Sequence, residues 1–394
     1  MEKTRNIKVD SPVKLIFVGG FLGSGKTTAL AGIAKRLLGL GKRVGIVTND
    51  QSDNLADTVI VREMLGELGV PIEEVVAGCF CCKFEELIDN IEKILVHKPD
   101  ILLGEPVGSC TDFVAAVANP IKIHYHEAFR FAPFTTMVDP DRVRELLLAE
   151  TESNFPEEVA YLFGKQLEEA DILVLNKIDL LSESEVKRLV SLLTTKYPEK
   201  EILAISARDG GGVEKWLEIL LSGRPGANTV LSQIDYDRYA RAEAVLGWLN
   251  AAIKISSDQL FTADKFVMDL FIELRESFKQ EKGEIGHLKS VFTSGGKSFW
   301  VNLTNLSSKP MLSGKPIATL SKGSLILNAR VQLAPETLEK IVRDVLATVA
   351  EKYGVKTEID DLQCFSPAYP NPPHMVRENL DSEGKSEETH HDAN

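Results

Sequence analysis

The sequence predicts an α/β domain built on a doubly wound, mainly parallel sheet, followed by a smaller α+β domain. Two observations predict the first and one the second. From Val13 to about Leu221 short apolar runs alternate with amphipathic stretches, the rhythm of repeated strand–helix units. Those runs are nearly continuous, as in parallel strands covered on both faces. Beyond a Gly/Pro-punctuated break at Ser222–Asn228 the rhythm changes to alternating runs around two long amphipathic stretches.

In chain order, the predicted buried strands are Val13–Val18, Arg43–Val47, Ile101–Leu103, Phe134–Val138, Ile172–Leu175 and Ile202–Ile205. Apolar residues at helical spacing predict helices over Lys26–Leu38, Phe84–Leu95, Glu157–Glu169, Glu185–Leu193 and Gly212–Leu220. In the second region, alternation over Glu243–Leu249 and Ser298–Leu303 and a β-rich run at Ser324–Val331 accompany helices over Thr262–Lys279 and Pro335–Lys352. The expected division is an N-terminal extension (1–12), a first domain (13–222), an α+β domain (229–365) and a closing segment (366–394). That last part is Pro-rich (Pro367, Pro370, Pro372, Pro373). From Leu380 it is polar and acidic, with too little apolar surface to order itself.

Composition bounds the function classes. A chain of 394 residues, 44% hydrophobic and 26% charged, is a globular protein of two or three domains, not a collagen-like or wholly disordered one. Lys and Arg total 45 against 58 Asp and Glu, a net charge of −13 that repels nucleic acid and anionic membrane. The first 13 residues lack the apolar core of a secretory signal, and apolar stretches such as Leu15–Gly23 fall short of a membrane span. A cytoplasmic protein is expected. Five cysteines are too few for a disulfide framework in a chain of this length.

Gly20-Phe21-Leu22-Gly23-Ser24-Gly25-Lys26-Thr27 fits the pattern G-x-x-x-x-G-K-[ST] between a predicted strand and a predicted helix, the context that gives it meaning. Its glycines let backbone N–H groups turn inward around phosphates, and the helix N-terminus adds positive potential. Lys26 supplies a point charge to the β- and γ-phosphates, and the Thr27 hydroxyl can ligate Mg²⁺. Asn176-Lys177-Ile178-Asp179 closes another predicted strand, at the sheet edge where open α/β folds bind ligands. A carboxylate at Asp179 can accept two hydrogen bonds from guanine, whereas adenine offers no donor there. Lys177 can lay its stem along the base, Asn176 can brace the loop, and Ser206-Ala207 can present a backbone N–H to the guanine oxygen. GTP is the expected nucleotide.

Gly78-Cys79-Phe80-Cys81-Cys82 places three thiols in four residues. Cys79, Cys81 and Cys82 suit Zn²⁺ or Co²⁺, and three ligands from one turn leave coordination open for loading and release. A buried cluster of small side chains and a redox pair are the competing readings. Cys110 is either a further ligand or a buried cysteine. Glu105 closes a strand where it can hold a Mg²⁺ water shell, with the Gly108 N–H placed to sense a γ-phosphate. Asp50 closes the extension of Arg43–Val47 and can approach metal or attacking water; either acid can instead cap the following segment. His124 and His126 would share a face on a strand, and read more simply as exposed, as do His390 and His391 in the tail.

With these residues in hand, the chain resembles the CobW-type GTPases, relatives of the nickel chaperones HypB and UreG and of the corrinoid-enzyme chaperone MeaB. The resemblance rests on Gly19 through Thr28, Gly78-Cys79-Phe80-Cys81-Cys82, Glu105-x-x-Gly108 and Asn176-Lys177-Ile178-Asp179, in that order. It implies a P-loop GTPase with slow intrinsic hydrolysis, Thr28 and the motif residues on the nucleotide, and catalytic roles for Lys26, Glu105 and Asp50. It further implies delivery of a metal ion or metallocofactor to a client metalloenzyme or corrinoid protein, with the second domain in partner contact and a nucleotide-dependent homodimer as one assembly. Three features depart from the family pattern: Asn49-Asp50-Gln51-Ser52 after the second strand, Pro106-Val107 after Glu105, and no lysine at Phe21 or Leu22. These point to a subgroup tied to corrinoid methyl transfer. The alternatives to a GTPase metallochaperone are a GTP-gated chaperone of a corrinoid enzyme that moves no metal, and a small-molecule kinase. The kinase would need no thiol cluster.

Overall fold

The computed structural model describes residues 5, 7–49, 56–66, 68–151, 153–317, 319–380 and 384–385. Two sheets organise them. The first has the order β3-β2-β4-β1-β6-β7-β8 and is parallel throughout, with a short strand β5 also beside β1. Its strands are β1 (Val13–Gly20), β2 (Val44–Asn49), β3 (Ile72–Val75), β4 (Ile101–Glu105), β5 (Phe129–Phe131), β6 (Thr135–Val138), β7 (Ile172–Leu175) and β8 (Glu201–Ala204). Central strands are apolar along their length because helices cover both faces: Leu15 and Phe17 of β1 enter one core cluster, Ile16 and Val18 the other.

The helices that matter for the site follow strand ends. Helix α1 (Lys26–Gly39) opens directly from the glycine-rich loop, and its buried Ala29, Leu30, Ile33, Ala34 and Leu37 recur at helical spacing. Helix α2 (Ala56–Leu65) leads from β2 toward β3. Helix α3 (Phe84–Leu95) buries Phe84, Leu87, Ile88, Ile91 and Ile94 and carries Glu85 and Glu86 in its first turn, where carboxylates favour the N-terminal dipole.

The second sheet is antiparallel, in the order β12-β11-β10-β13-β9-β14. Its strands are β9 (Gly247–Thr262), β10 (Ile285–Ser294), β11 (Lys297–Leu303), β12 (Met311–Gly314), β13 (Thr319–Val331) and β14 (Lys356–Phe365). One face is apolar: Leu288, Phe292, Val301, Leu325 and Leu327 pack on Phe266, Leu270 and Phe271 of the helix Ala263–Gln280 and on Leu338, Val342 and Leu346 of the helix Pro335–Tyr353. On the other face Val291, Trp300 and Ile326 meet Ala56, Val59 and Ile60 of α2, so this sheet docks on the first domain.

The structure adds α2, β3 and β5, which the sequence pattern did not reveal. Strand β3 is half-buried with two consecutive glutamates, and β5 has three residues, so neither shows a sustained period. The alternating run at Glu243–Leu249 is not one strand: a helix covers Tyr236–Ala244 and β9 begins at Gly247. His124 lies in a helical segment, Asn119–Tyr125, rather than on a strand, and both it and His126 are exposed. The Pro-rich segment lies against the first domain. Val376 N–H donates to Ala115 O at 2.9 Å, Asn119 donates to the Val376 and Glu378 carbonyls, and Arg377 pairs with buried Asp112 at 2.7 Å. Leu380, where the polar tail was expected to begin, is buried. Asp50, His390 and His391 lie outside the described residues. Among the described residues no helix is long and apolar enough to cross a membrane.

Candidate functional site

The carboxyl ends of β1, β2, β4, β6 and β7 open into a cavity of about 430 Å³. Gly23, Gly25, Lys26, Thr27 and Thr28 line one wall and Asn176, Lys177, Asp179 and Ala207 another, so the phosphate and guanine motifs share one chamber. The glycine-rich loop is shaped by what surrounds it. At Gly25 the backbone is left-handed (φ 93°), and a Cβ there would lie 2.3 Å from Asn176 Nδ2. Asn176 ties the two motifs together: its amide donates to Ser24 O at 2.8 Å and its oxygen accepts from Ala207 N–H at 2.9 Å. Asp179 accepts from Ser206 Oγ at 2.8 Å, which fixes the carboxylate at the rim. Lys177 adopts φ 59°, a costly conformation for a non-glycine residue. Its ammonium pairs at 2.5 Å with Asp139, which lines the same cavity. Burial alone would raise the Asp139 carboxyl; Lys177, with Arg142 and the Asp141 N–H, overrides it and holds the group below its ordinary value.

At the phosphate end, Lys26 donates to Gly20 O at 2.9 Å and Phe21 O at 3.3 Å. The Thr27 hydroxyl lies 2.9 Å from Glu105 Oε1 and 2.6 Å from Asp57 Oδ1. Two carboxylates and a hydroxyl form an oxygen donor set that suits a hard cation such as Mg²⁺. Glu105 Oε2 and Ser24 Oγ are buried and have no hydrogen-bond partner among the described residues, as expected of atoms that await a ligand. Burial, with the Asp57 charge beside it, pushes the Glu105 carboxyl up to about 7. Asp57 moves the other way. Burial works against its ionised form, but the Lys289 ammonium and the Thr27 hydroxyl outweigh it and hold the carboxyl below its usual range.

The three thiols lie one loop away. Cys79, Cys81 and Cys82 present their sulfurs within 4.8 Å of one another, Cys79 and Cys81 buried and Cys82 half-buried. Sulfurs bound at about 2.3 Å to a tetrahedral ion stand about 3.8 Å apart; Cys81 and Cys82 are at 4.0 Å, whereas Cys79 and Cys81, at 2.7 Å, would have to part to share an ion. Hydrogen bonding among them distributes the protons. Cys79 is pushed up by Cys81 and Cys82 together with burial, while Cys82 is drawn down by the thiols of Cys79 and Cys81. Cys110 is buried and its thiol meets Cys81. Three sulfurs this close together could converge on one ion.

Asn49, the last residue of β2, joins the two chemistries. Its amide donates to Gly78 O at 2.7 Å and Val75 O at 3.0 Å; its oxygen accepts from Phe80 N–H at 3.0 Å and Val107 N–H at 3.3 Å. One buried side chain therefore grips the cysteine loop and the loop between Glu105 and Gly108, and it also lines the nucleotide cavity. Gly108 is held from the other side, its carbonyl accepting from Gln166 Nε2 at 3.0 Å.

The remaining wall comes from the second sheet: His287, Lys289, Trp300, Asn302, Asn328 and Arg330 all face the cavity. A Cβ at Gly23 (φ 74°) would lie 2.5 Å from Thr304 Cγ2, so the phosphate loop packs directly on this sheet. Buried Arg142 bolts the contact. Its guanidinium donates to Ile285 O at 2.6 Å and Gly286 O at 3.2 Å, also bonds Thr304 O and Glu145, and stands 5.7 Å from the Phe21 ring. Sequence reading missed Asp57, Asp139, Arg142 and Lys289 because each acts across a contact that no local spacing encodes. Asn49 carried a signal, since it ends β2 next to Asp50, the acid singled out in the sequence.

The fold and cavity define a P-loop nucleotide-binding domain on a parallel sheet, with a second domain closing over it. Residues 14–204 match the family model described as CobW/HypB/UreG, nucleotide-binding domain, so this stretch of the chain is similar to that family's domain. Among curated proteins it is 27% identical over 217 residues to "Zinc chaperone CobW" of Sinorhizobium sp, covering 49% of this chain and 58% of that protein. It is also 27% identical over 241 residues to "Zinc-regulated GTPase metalloprotein activator 1" of Dictyostelium discoideum, covering 54% and 48%. The matches thus span about half the length of these relatives. Among solved structures, HypB from Archaeoglobus fulgidus aligns with 54% of this chain and 89% of its own (21% identity, TM-score 0.36). The Zn(II)-bound YjiA GTPase from E. coli aligns with 86% and 99% (15% identity, TM-score 0.33).

Proposed function

We propose that the protein binds GTP with Mg²⁺, hydrolyses it slowly, and uses the nucleotide state to control a thiolate-bound metal ion, Zn²⁺ or Co²⁺, that it delivers to a client protein. The observation that carries this reading is Asn49, whose four hydrogen bonds lock the cysteine loop to the loop between Glu105 and Gly108. When the second loop rearranges around a γ-phosphate, the first must follow or lose those bonds. Lys26 and the loop amides would hold the phosphates, Asp179 the guanine edge, and Thr27, Glu105 and Asp57 the Mg²⁺ and its water. There the ion would supply charge neutralisation to the phosphates. Glu105, whose carboxyl is raised to about 7 by burial and the Asp57 charge, would hold that shell in its ionised form. The relatives' names, a zinc chaperone and a zinc-regulated GTPase activator, support the same reading.

The test is a Co²⁺ titration of the reduced protein with and without a non-hydrolysable GTP analogue. Near-stoichiometric sulfur-to-cobalt absorption that shifts with nucleotide and disappears in the Cys81→Ser/Cys82→Ser variant is the expected result. Absence of a thiolate band in every nucleotide state overturns metal handling by this loop.

A further inference from the structure

Lys289 is a buried cation that neither the phosphate loop nor the guanine motif accounts for. It sits on β10, opposite Asn302 of β11 and Asn328 of β13, on the sheet face turned away from the second domain's apolar core. Its ammonium pairs with Asp57, in the first turn of α2, and Asp57 in turn is bonded to the Thr27 hydroxyl that follows Lys26. A cation from the second domain therefore stands at the phosphate end of a cavity built by the first.

Packing alone does not explain it. Taking an ammonium out of water is unfavourable by several kcal/mol, and an apolar side chain would serve the contact with α2 better. One pair further along that face Val291, Trp300 and Ile326 are apolar and make that contact, whereas Lys289 stands among the polar Asn302 and Asn328 that line the cavity. The charge is retained where charge is useful. Lys26 and Lys289 balance Asp57 and Glu105 in this corner, and the two carboxylates are the groups a Mg²⁺ shell would engage.

We propose that Lys289 is a phosphate-subsite residue supplied in cis by the second domain: when Mg²⁺ takes over Asp57, the freed ammonium binds the terminal phosphate of a nucleoside triphosphate. This rests on the guanine-nucleotide reading above. It makes the second domain a reader of the γ-phosphate, joined to the first through α2 and Arg142, rather than only a surface for partners.

The experiment compares equilibrium affinities for GDP and a non-hydrolysable GTP analogue, at saturating Mg²⁺, in the full-length wild type, Lys289→Met and Lys289→Arg. A lost charge-assisted contact to the γ-phosphate weakens the analogue by about tenfold or more in Lys289→Met. GDP affinity should change by less than about threefold by the same reasoning, and Lys289→Arg should recover most of the loss. An equal loss for both nucleotides, no loss, or tighter analogue binding overturns the proposal, the last marking Lys289 as a competitor of Mg²⁺ alone. If Lys289→Met does not fold, the Asp57→Asn/Lys289→Met variant, which leaves no unpaired buried charge, is compared with Asp57→Asn in the same way. If the wild type binds ATP and ADP in place of guanine nucleotides, the guanine reading falls and their affinity ratio decides Lys289. If it binds no nucleotide, both readings fall.

Discussion

The two sheets meet at one cavity but contribute to it by different physics. The parallel sheet buries both faces, so its strands are continuous apolar runs and its chemistry sits at strand ends, in loops. The antiparallel sheet buries one face against its own helices and turns the other, carrying His287, Lys289, Asn302 and Arg330, toward the nucleotide chamber. In the first, function lies where the pattern is interrupted. In the second it lies inside the pattern, at every other residue of a strand that alternation alone would assign to solvent.

The largest expected effects separate the two cores. Trp216 of the first domain is fully buried with its indole N–H bonded to Thr135 Oγ1 at 3.0 Å, and Phe271 of the second is fully buried among its helices. Each truncation to alanine should cost about 3–5 kcal/mol. If the docked face couples the domains, either one lowers the stability of both, seen as one shifted thermal transition; two transitions of which only one moves would show the sheets to be independent.

Next comes the strand-end chemistry. Asp179→Asn should weaken GTP by about a hundredfold, because an amide places a donor against the guanine N–H groups. It should improve binding of XTP, whose C2 carbonyl accepts from that amide, and competition assays with the two nucleotides read both effects. Unchanged GTP preference would remove Asp179 from the base subsite.

Asn49→Ala is a smaller perturbation with a sharper meaning. Losing buried side-chain bonds should lower stability by about 1–3 kcal/mol. Hydrogen exchange at 76–83 should then no longer respond to nucleotide. Persisting protection changes on GTP binding would place the coupling elsewhere.

The smallest effect is a proton. With its folded value raised from 4.5 to about 7, Glu105 keeps a proton that the unfolded chain releases between those values, so its contribution to stability falls as pH rises through that window. Mg²⁺·GTP binding near pH 6 should release a fraction of a proton, measured by calorimetry in buffers of different ionisation enthalpy. Glu105→Gln should abolish the difference.

The sequence was most legible where backbone chemistry constrains residue type. Helices such as Phe84–Leu95 and Glu157–Glu169 coincide with their apolar periods. Gly25, Lys26 and Asn176 declare a phosphate loop and its brace because other residues would clash or lose the contact. The thiol cluster was legible from spacing alone. Asp57 and Lys289 were not, since their meaning arises only when β10 is laid over α2, 232 residues apart in sequence. The packing of the Pro-rich segment was not legible either, since its hydrogen bonds go to residues distant in sequence, such as Ala115, Asn119 and Asp112.

On the proposed function, nucleotide state changes the metal affinity of the three thiols. Its most direct measurement is the equilibrium Zn²⁺ affinity of the reduced protein against a chromophoric chelator, in the nucleotide-free, GDP and GTP-analogue states. The account predicts at least about a tenfold difference between the GDP and GTP-analogue forms, the size of a typical coupling free energy. Equal affinities in all three states would contradict it.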